Sequence, residues 1–152
     1  MIRVWVFLHI LGFTLWIGGA LAAMVAGVAG RREDRAGLGT VARTQAAVQK
    51  LLVAPGALLA VLSGLMLTFT VTSVRGGEAG FNIWLVLMQG AGILGALLVL
   101  LVGLPTAAKL ARLDPEGPGA AYFDELRQRQ RVVGSVAGVF ALAALVGGAM
   151  LA

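Results

Sequence analysis

Four stretches of this chain contain no charged side chain: Val4 to Gly30, Leu51 to Val74, Phe81 to Ala108 and Val132 to Ala152. Each reaches the roughly 20 residues that an α-helix needs to cross a hydrocarbon core. Lipid offers no hydrogen-bond partners to backbone amides, so a segment at that depth must satisfy them internally. The runs are too long for barrel strands, which leaves helices. The expected fold is therefore all-α: a four-helix transmembrane bundle with spans at about 4–30, 48–74, 81–110 and 130–152. Composition agrees, with 59% hydrophobic residues and only 12% charged, the latter about half the usual share for a soluble protein. At 152 residues the chain is read as one domain.

The first run has a competing reading. Arg3, the apolar stretch and Ala20-Leu21-Ala22 resemble the parts of a cleavable signal peptide. The run continues to Gly30, longer than a signal core requires, and a retained helix is the better expectation.

Charge sets orientation. Arg31, Arg32, Arg35, Arg43 and Lys50 lie between the first two runs, and Lys109, Arg112, Arg127, Arg129 and Arg131 between the last two. The opposite side holds only Arg3 and Arg75. Ten basic residues against two put the loops 31–47 and 111–129 in the cytoplasm and both termini outside, in a bacterial inner membrane. The net charge of +5 follows from this asymmetry and suits anionic lipid. No aromatic interleaving or binding motif supports a nucleic-acid partner. With no cysteine, disulfides, thiolate metal sites and cysteine nucleophiles are all excluded.

Local signals complete the outline. Gly39-Thr40 is expected to cap a helix running through "VARTQAAVQK" into the second span, with a bend at Pro55-Gly56. "DPEGPG" at 114–119 is a turn, and "AYFDELRQRQR" reads as a solvated helical lead-in, with Glu125 and Arg129, and Arg127 and Arg131, one turn apart. The short "RGGEAGFN" makes the second and third helices antiparallel neighbours. Gly134 and Gly138 form a G-x-x-x-G pair, and Gly90, Gly92 and Gly95 cluster. Such residues let helices approach closely in lipid, within the bundle or across a homodimer. A weak internal echo pairs "QKLLVAPGALLAVLSGLML" with "QRVVGSVAGVFALAALVGGAML", and Trp5/His9 with Trp84/Met88, as two hairpins about an axis along the membrane normal would.

Chemistry has few places to reside. His9 is the only histidine and lies in the first run, roughly 12 Å from its midpoint toward the outer side at about 1.5 Å per residue. Trp5, His9, Gly12, Trp16 and Gly19 recur at steps of four and three, so they share one helix face. A neutral imidazole leaves one ring nitrogen free to accept a proton or bind a metal. Three roles compete: a structural hydrogen bond to a neighbouring helix, ligation of haem iron or another metal, and a proton relay or polar substrate contact. Gln45, Gln49 and Gln89 suit a polar ligand or a helix backbone equally. The carboxylates all lie in or beside loops, so no buried acid pair serves acid–base work, and no conventional enzyme is expected. Met24, Met66 and Met88 read as core fillers; copper(I) from methionine lacks a tight cluster in the sequence.

"LHILGFTLWIGGAL", "LLVAPGALLAVLSGLML" and "WLVLMQGAGILGALLVLLVGLP" resemble an uncharacterised bacterial family of integral membrane proteins. That family is in turn similar to the copper resistance D-type proteins and the HemJ-type protoporphyrinogen oxidases. The likeness covers nearly the whole chain and is most specific at His9, Trp16, Gly18-Gly19, Pro55-Gly56 and Ser63-Gly64-Leu65. It implies a four-helix membrane bundle whose His9 ligates haem b, for electron transfer or haem-related redox chemistry, with Trp5, Gly12 and Trp16 around it. The HemJ-type relatives carry a lysine one turn after the third-helix tryptophan. Here Met88 follows Trp84 at that spacing, so the resemblance does not carry protoporphyrinogen oxidation to this chain. Met88 can instead serve as a second haem ligand opposite His9, as can a second His9 across a dimer axis. The alternative is a small transporter or accessory membrane protein with a metal ion or lipid ligand and no redox cofactor.

Overall fold

A computed structural model describes residues 2–74 and 82–151. Its regular elements are all helical: α1 Ile2–Ala29, α2 Arg35–Val48, α3 Ala54–Val74, α4 Ile83–Leu98, α5 Leu104–Leu110 and α6 Ala120–Ala149. A single 3-10 turn, Gly30–Arg32, extends α1. Single π turns, Gln49–Val53 and Val99–Gly103, join α2 to α3 and α4 to α5. Four continuous rods result, and each is long and apolar enough to cross a membrane. The connection "RGGEAGFN" falls almost wholly outside the described residues.

Both π turns have the same local cause. Pro55 and Pro105 follow them, and a proline in a helix cannot donate to the carbonyl four residues back and crowds it. The preceding residue answers by reaching one position further: Ala54 N–H bonds to Gln49 O, and Leu104 N–H to Val99 O. The disturbance expected at Pro55-Gly56 is thus a widened turn just before the proline. Gly56 has another task, because a Cβ there would stand 2.5 Å from Trp16 N.

Two further expectations change. α2 begins at Arg35, capped by Asp34, whose carboxylate accepts from Gly37 N–H at 2.8 Å; it runs straight through Gly39-Thr40. Asp34 offers an acceptor side chain just before the helix, which Gly39 cannot. The "AYFDELRQRQR" segment is helical, but its inner face is not solvated. Phe123 and Leu126 are buried against Leu38, Ala42 and Leu110 in a small cluster of their own. Among the described residues the ion pair there is Arg35–Asp124 at 3.1 Å, between α2 and α6.

The tightest pairings are α1 with α3 and α4 with α6; α3 with α4 is looser, and α1 meets α6 only lightly. The core between the two pairs is one indole among small residues: Trp16 with Ala57, Ala60, Ala96, Ala137 and Ala141. Large apolar side chains face outward, Phe69, Leu51, Leu101 and Val139 each at least two-thirds exposed. An apolar exterior around a small-residue interior is the arrangement lipid permits, since packing replaces the hydrophobic effect there. The glycines divide accordingly. Gly12, Gly56 and Gly147 leave no room for a Cβ against a neighbouring backbone and Gly19 and Gly95 leave little against side chains, whereas Gly18, Gly90, Gly134 and Gly138 have open space over them.

Candidate functional site

His9 sits on the inward face of α1, where Gly64 of α3 makes room for it: a Cβ at position 64 would lie 2.9 Å from the ring's Cε1. The ring Nδ1 is 2.8 Å from Ala60 O and 3.3 Å from Ser63 Oγ. A carbonyl oxygen carries no proton, so Nδ1–H is the donor. Ser63 is fully buried, and its hydroxyl donates to Leu59 O; its oxygen is a second, longer acceptor for the ring. With the proton on Nδ1, the lone pair of a neutral ring is on Nε2. Holding the other nitrogen on a backbone carbonyl is how proteins orient a metal-binding imidazole. Phe13 meets the ring edge-on, with centroids 5.2 Å apart, and in turn stacks on Trp16.

A cavity opens beside this ring. Its walls are His9, Phe13 and Trp16 from α1, Ala60 to Leu65 in part from α3, and Met88, Gln89, Gly92 and Ile93 from α4. His9 and Met88, which belong to different helix pairs, therefore line one space. Met88 lies over Gly148 of α6, where a Cβ would be 3.4 Å from its sulfur. Gln89 donates through Nε2 to Thr68 Oγ1 at 2.7 Å, and Thr68 donates to Gly64 O at 3.0 Å. Trp16, 1% exposed, closes the inner end, its ring 3.1 Å from where a Cβ of Gly95 would be.

The remaining residues of the expected site have other tasks. Gly12 packs on the α3 backbone, with Ala60 N 2.5 Å from a would-be Cβ, and gives no room to a ligand. Trp5 shares the His9 face but does not line the cavity. Gln45 donates to Ala23 O, and buried Gln49 lies against Gly103. Met24 and Met66 are exposed on the apolar surface. Ser63, Thr68 and the Ala60 carbonyl were not legible as site residues; only the "SGL" stretch gave a hint.

The donors suit haem iron, since a bare imidazole nitrogen and a thioether are both axial ligands. The space does not. The cavity holds only about 30 Å³, far below the roughly 300–1,000 Å³ of pockets that take drug-sized molecules. A macrocycle does not fit between His9 and Met88 in this arrangement. One ion or one to two waters does.

No protein-family model, curated protein or solved structure matches the chain.

Proposed function

We propose that this is an integral inner-membrane protein whose His9 Nε2 and Met88 Sδ hold a single soft metal ion, copper(I) by preference, in the half of the bundle nearer the termini. The carrying observation is that an oriented imidazole and a thioether from separate helix pairs line one ion-sized cavity. Thioether and imidazole donors together favour copper(I), which accepts low coordination numbers and tolerates an apolar surround. The ten-to-two distribution of basic residues supports cytoplasmic loops and outward termini, which puts the site on the outer side. The role is an accessory, metal-holding one. Passage across the bilayer is disfavoured because Trp16 and its alanine setting fill the middle of the bundle and leave no polar route.

The test is metal loading of the purified protein in nanodiscs under reducing conditions, followed by X-ray absorption at the copper edge. One stoichiometric copper(I) with both nitrogen and sulfur scatterers is expected, with sulfur lost in Met88→Leu and binding lost in His9→Ala. Copper bound no more tightly by wild type than by His9→Ala would remove the proposal. A Soret band in the preparation that disappears in His9→Ala would replace the ion with haem and require the two helix pairs to part.

A further inference from the structure

At the opposite end of the molecule a second hollow, of about 340 Å³, lies between α2 and the turn that follows α5. It is unlike the first in every respect. Its lining residues include two arginines, Arg43 and Arg112, and two acidic residues, Asp114 and Glu116, all exposed. The turn is built rather than loose. Asp114 Oδ1 accepts from Glu116 N–H at 2.9 Å, and Pro115 is buried against Gly39, where a Cβ would be 3.5 Å from the proline ring. Arg43 is steadied by donating to Thr40 Oγ1 at 2.9 Å. None of these four charges makes an ion pair within 4 Å with another described residue.

Depth gives the hollow its meaning. α2 and the π turn after it pack along α1 and its 3-10 extension, with Gly19 against Val53 of the π turn, Gly27 against Gln45 and Gly30 against Val41. Val41 is therefore level with Gly30, Arg43 with the last turn of α1, and Gly39 about half a turn beyond it, level with Arg32. From Arg3 to Arg31, α1 and its 3-10 extension cover about 42 Å at roughly 1.5 Å per residue, close to the ~40–45 Å of a bilayer with its headgroups. With that rod spanning the bilayer, Arg43 reaches the headgroup layer, and Gly39, with Pro115 against it, lies at the water-facing edge of that layer. A ligand that meets two cations and two anions at once carries an anionic group and a hydrogen-bonding cation, and among lipid headgroups the anionic group is a phosphate.

We infer that this hollow is a headgroup site for phosphatidylethanolamine, with Arg43 and Arg112 on the phosphate and Asp114 and Glu116 on the primary ammonium. Guanidinium donates to phosphate oxygens in a planar fork, and an ammonium has three N–H donors for carboxylates. Choline has none. Phosphatidylglycerol brings no cation and faces the two carboxylates with an uncompensated negative charge. The inference rests on the membrane reading above but not on the metal site.

The experiment is lipid retention by native mass spectrometry, on protein reconstituted in nanodiscs of equal parts phosphatidylethanolamine, phosphatidylcholine and phosphatidylglycerol. Wild type should retain phosphatidylethanolamine preferentially. Arg43→Ala/Arg112→Ala should lower that retention about fivefold, as the loss of exposed charge pairs does. Asp114→Asn/Glu116→Gln keeps the Asp114 acceptor for the turn and should shift the preference toward phosphatidylglycerol. Arg3→Ala, at the other end, should change nothing. Soluble O-phosphoethanolamine at millimolar concentration should not displace the lipid; if it does so completely, the ligand is the free zwitterion and the lipid assignment falls. Equal retention of the three lipids, or variants indistinguishable from wild type, would overturn the site alone. Failure of the chain to enter nanodiscs at all would overturn the membrane reading.

Discussion

The two helix pairs solve the same packing problem and hold their candidate donors differently. In α1/α3 the backbones meet at Gly12 and Gly56, where an added Cβ would lie 2.5 Å from a backbone nitrogen; in α4/α6 they meet at Gly147, with Met88 N at 2.9 Å. His9 stands over Gly64 and Met88 over Gly148, so the echo between the two halves of the sequence has a physical counterpart at the site. The ring is fixed by a hydrogen bond to Ala60 O. The thioether is an adaptable apolar chain with three rotatable bonds. The difference teaches that one pair presents an oriented donor and the other one that adjusts to it. The π turns break the correspondence: they occur in the second rod of one pair and the first rod of the other.

That comparison can be broken most severely at the residue both pairs share. Trp16→Ala removes a fully buried indole from between them and should cost about 3–5 kcal/mol, read as a lower midpoint in denaturant titration in detergent micelles. It should also abolish metal binding by opening the cavity floor. Next come the crossing points. Gly12→Ala forces a methyl against the α3 backbone and should destabilise by about 1–3 kcal/mol; Gly147→Ala, with slightly more room, should cost less. Equal losses would show the second crossing to be as tight as the first. Helix starts discriminate more finely. Asp34→Ala and Asn82→Ala each remove a capping acceptor, of Gly37 N in one case and of Trp84 and Leu85 N in the other, and each should cost about 1 kcal/mol. The smallest effect belongs to Gly134→Ala, where a Cβ meets nothing within the chain. Stability of the monomer should stay within about 0.5 kcal/mol. A larger change, or a shift in oligomeric state by crosslinking, would show that this face meets a second copy.

Much of the architecture was readable because hydrocarbon-length apolar runs admit few alternatives. The four rods, their approximate ends and the turn at "DPEGPG" follow from run length, charge placement and proline–glycine chemistry. In the sequence Gly39-Thr40 resembles the start of α2, while Asp34, which caps it, lies inside a charged stretch that reads as loop. Charged neighbours make the stretch that holds Phe123 and Leu126 read as solvated, and only the return of α2 and α5 shows what covers them. The same limit applies to the site. The face of His9 was legible from helical periodicity, but periodicity says nothing about the neighbour opposite. That Gly12 serves the α3 backbone while Gly64 serves the ring depends on the crossing between two helices far apart in sequence.

The order of residues alone determined that the chain forms four long apolar helices and that its positive charge gathers in the two longer connections, since both follow from local hydrogen-bond satisfaction and composition. Tertiary structure decided which nitrogen of His9 is free, that Met88 lines the same space, and that the space is ion-sized. Those outcomes depend on how closely glycine and alanine let particular helices approach, and a distance between helices is not encoded in any one of them.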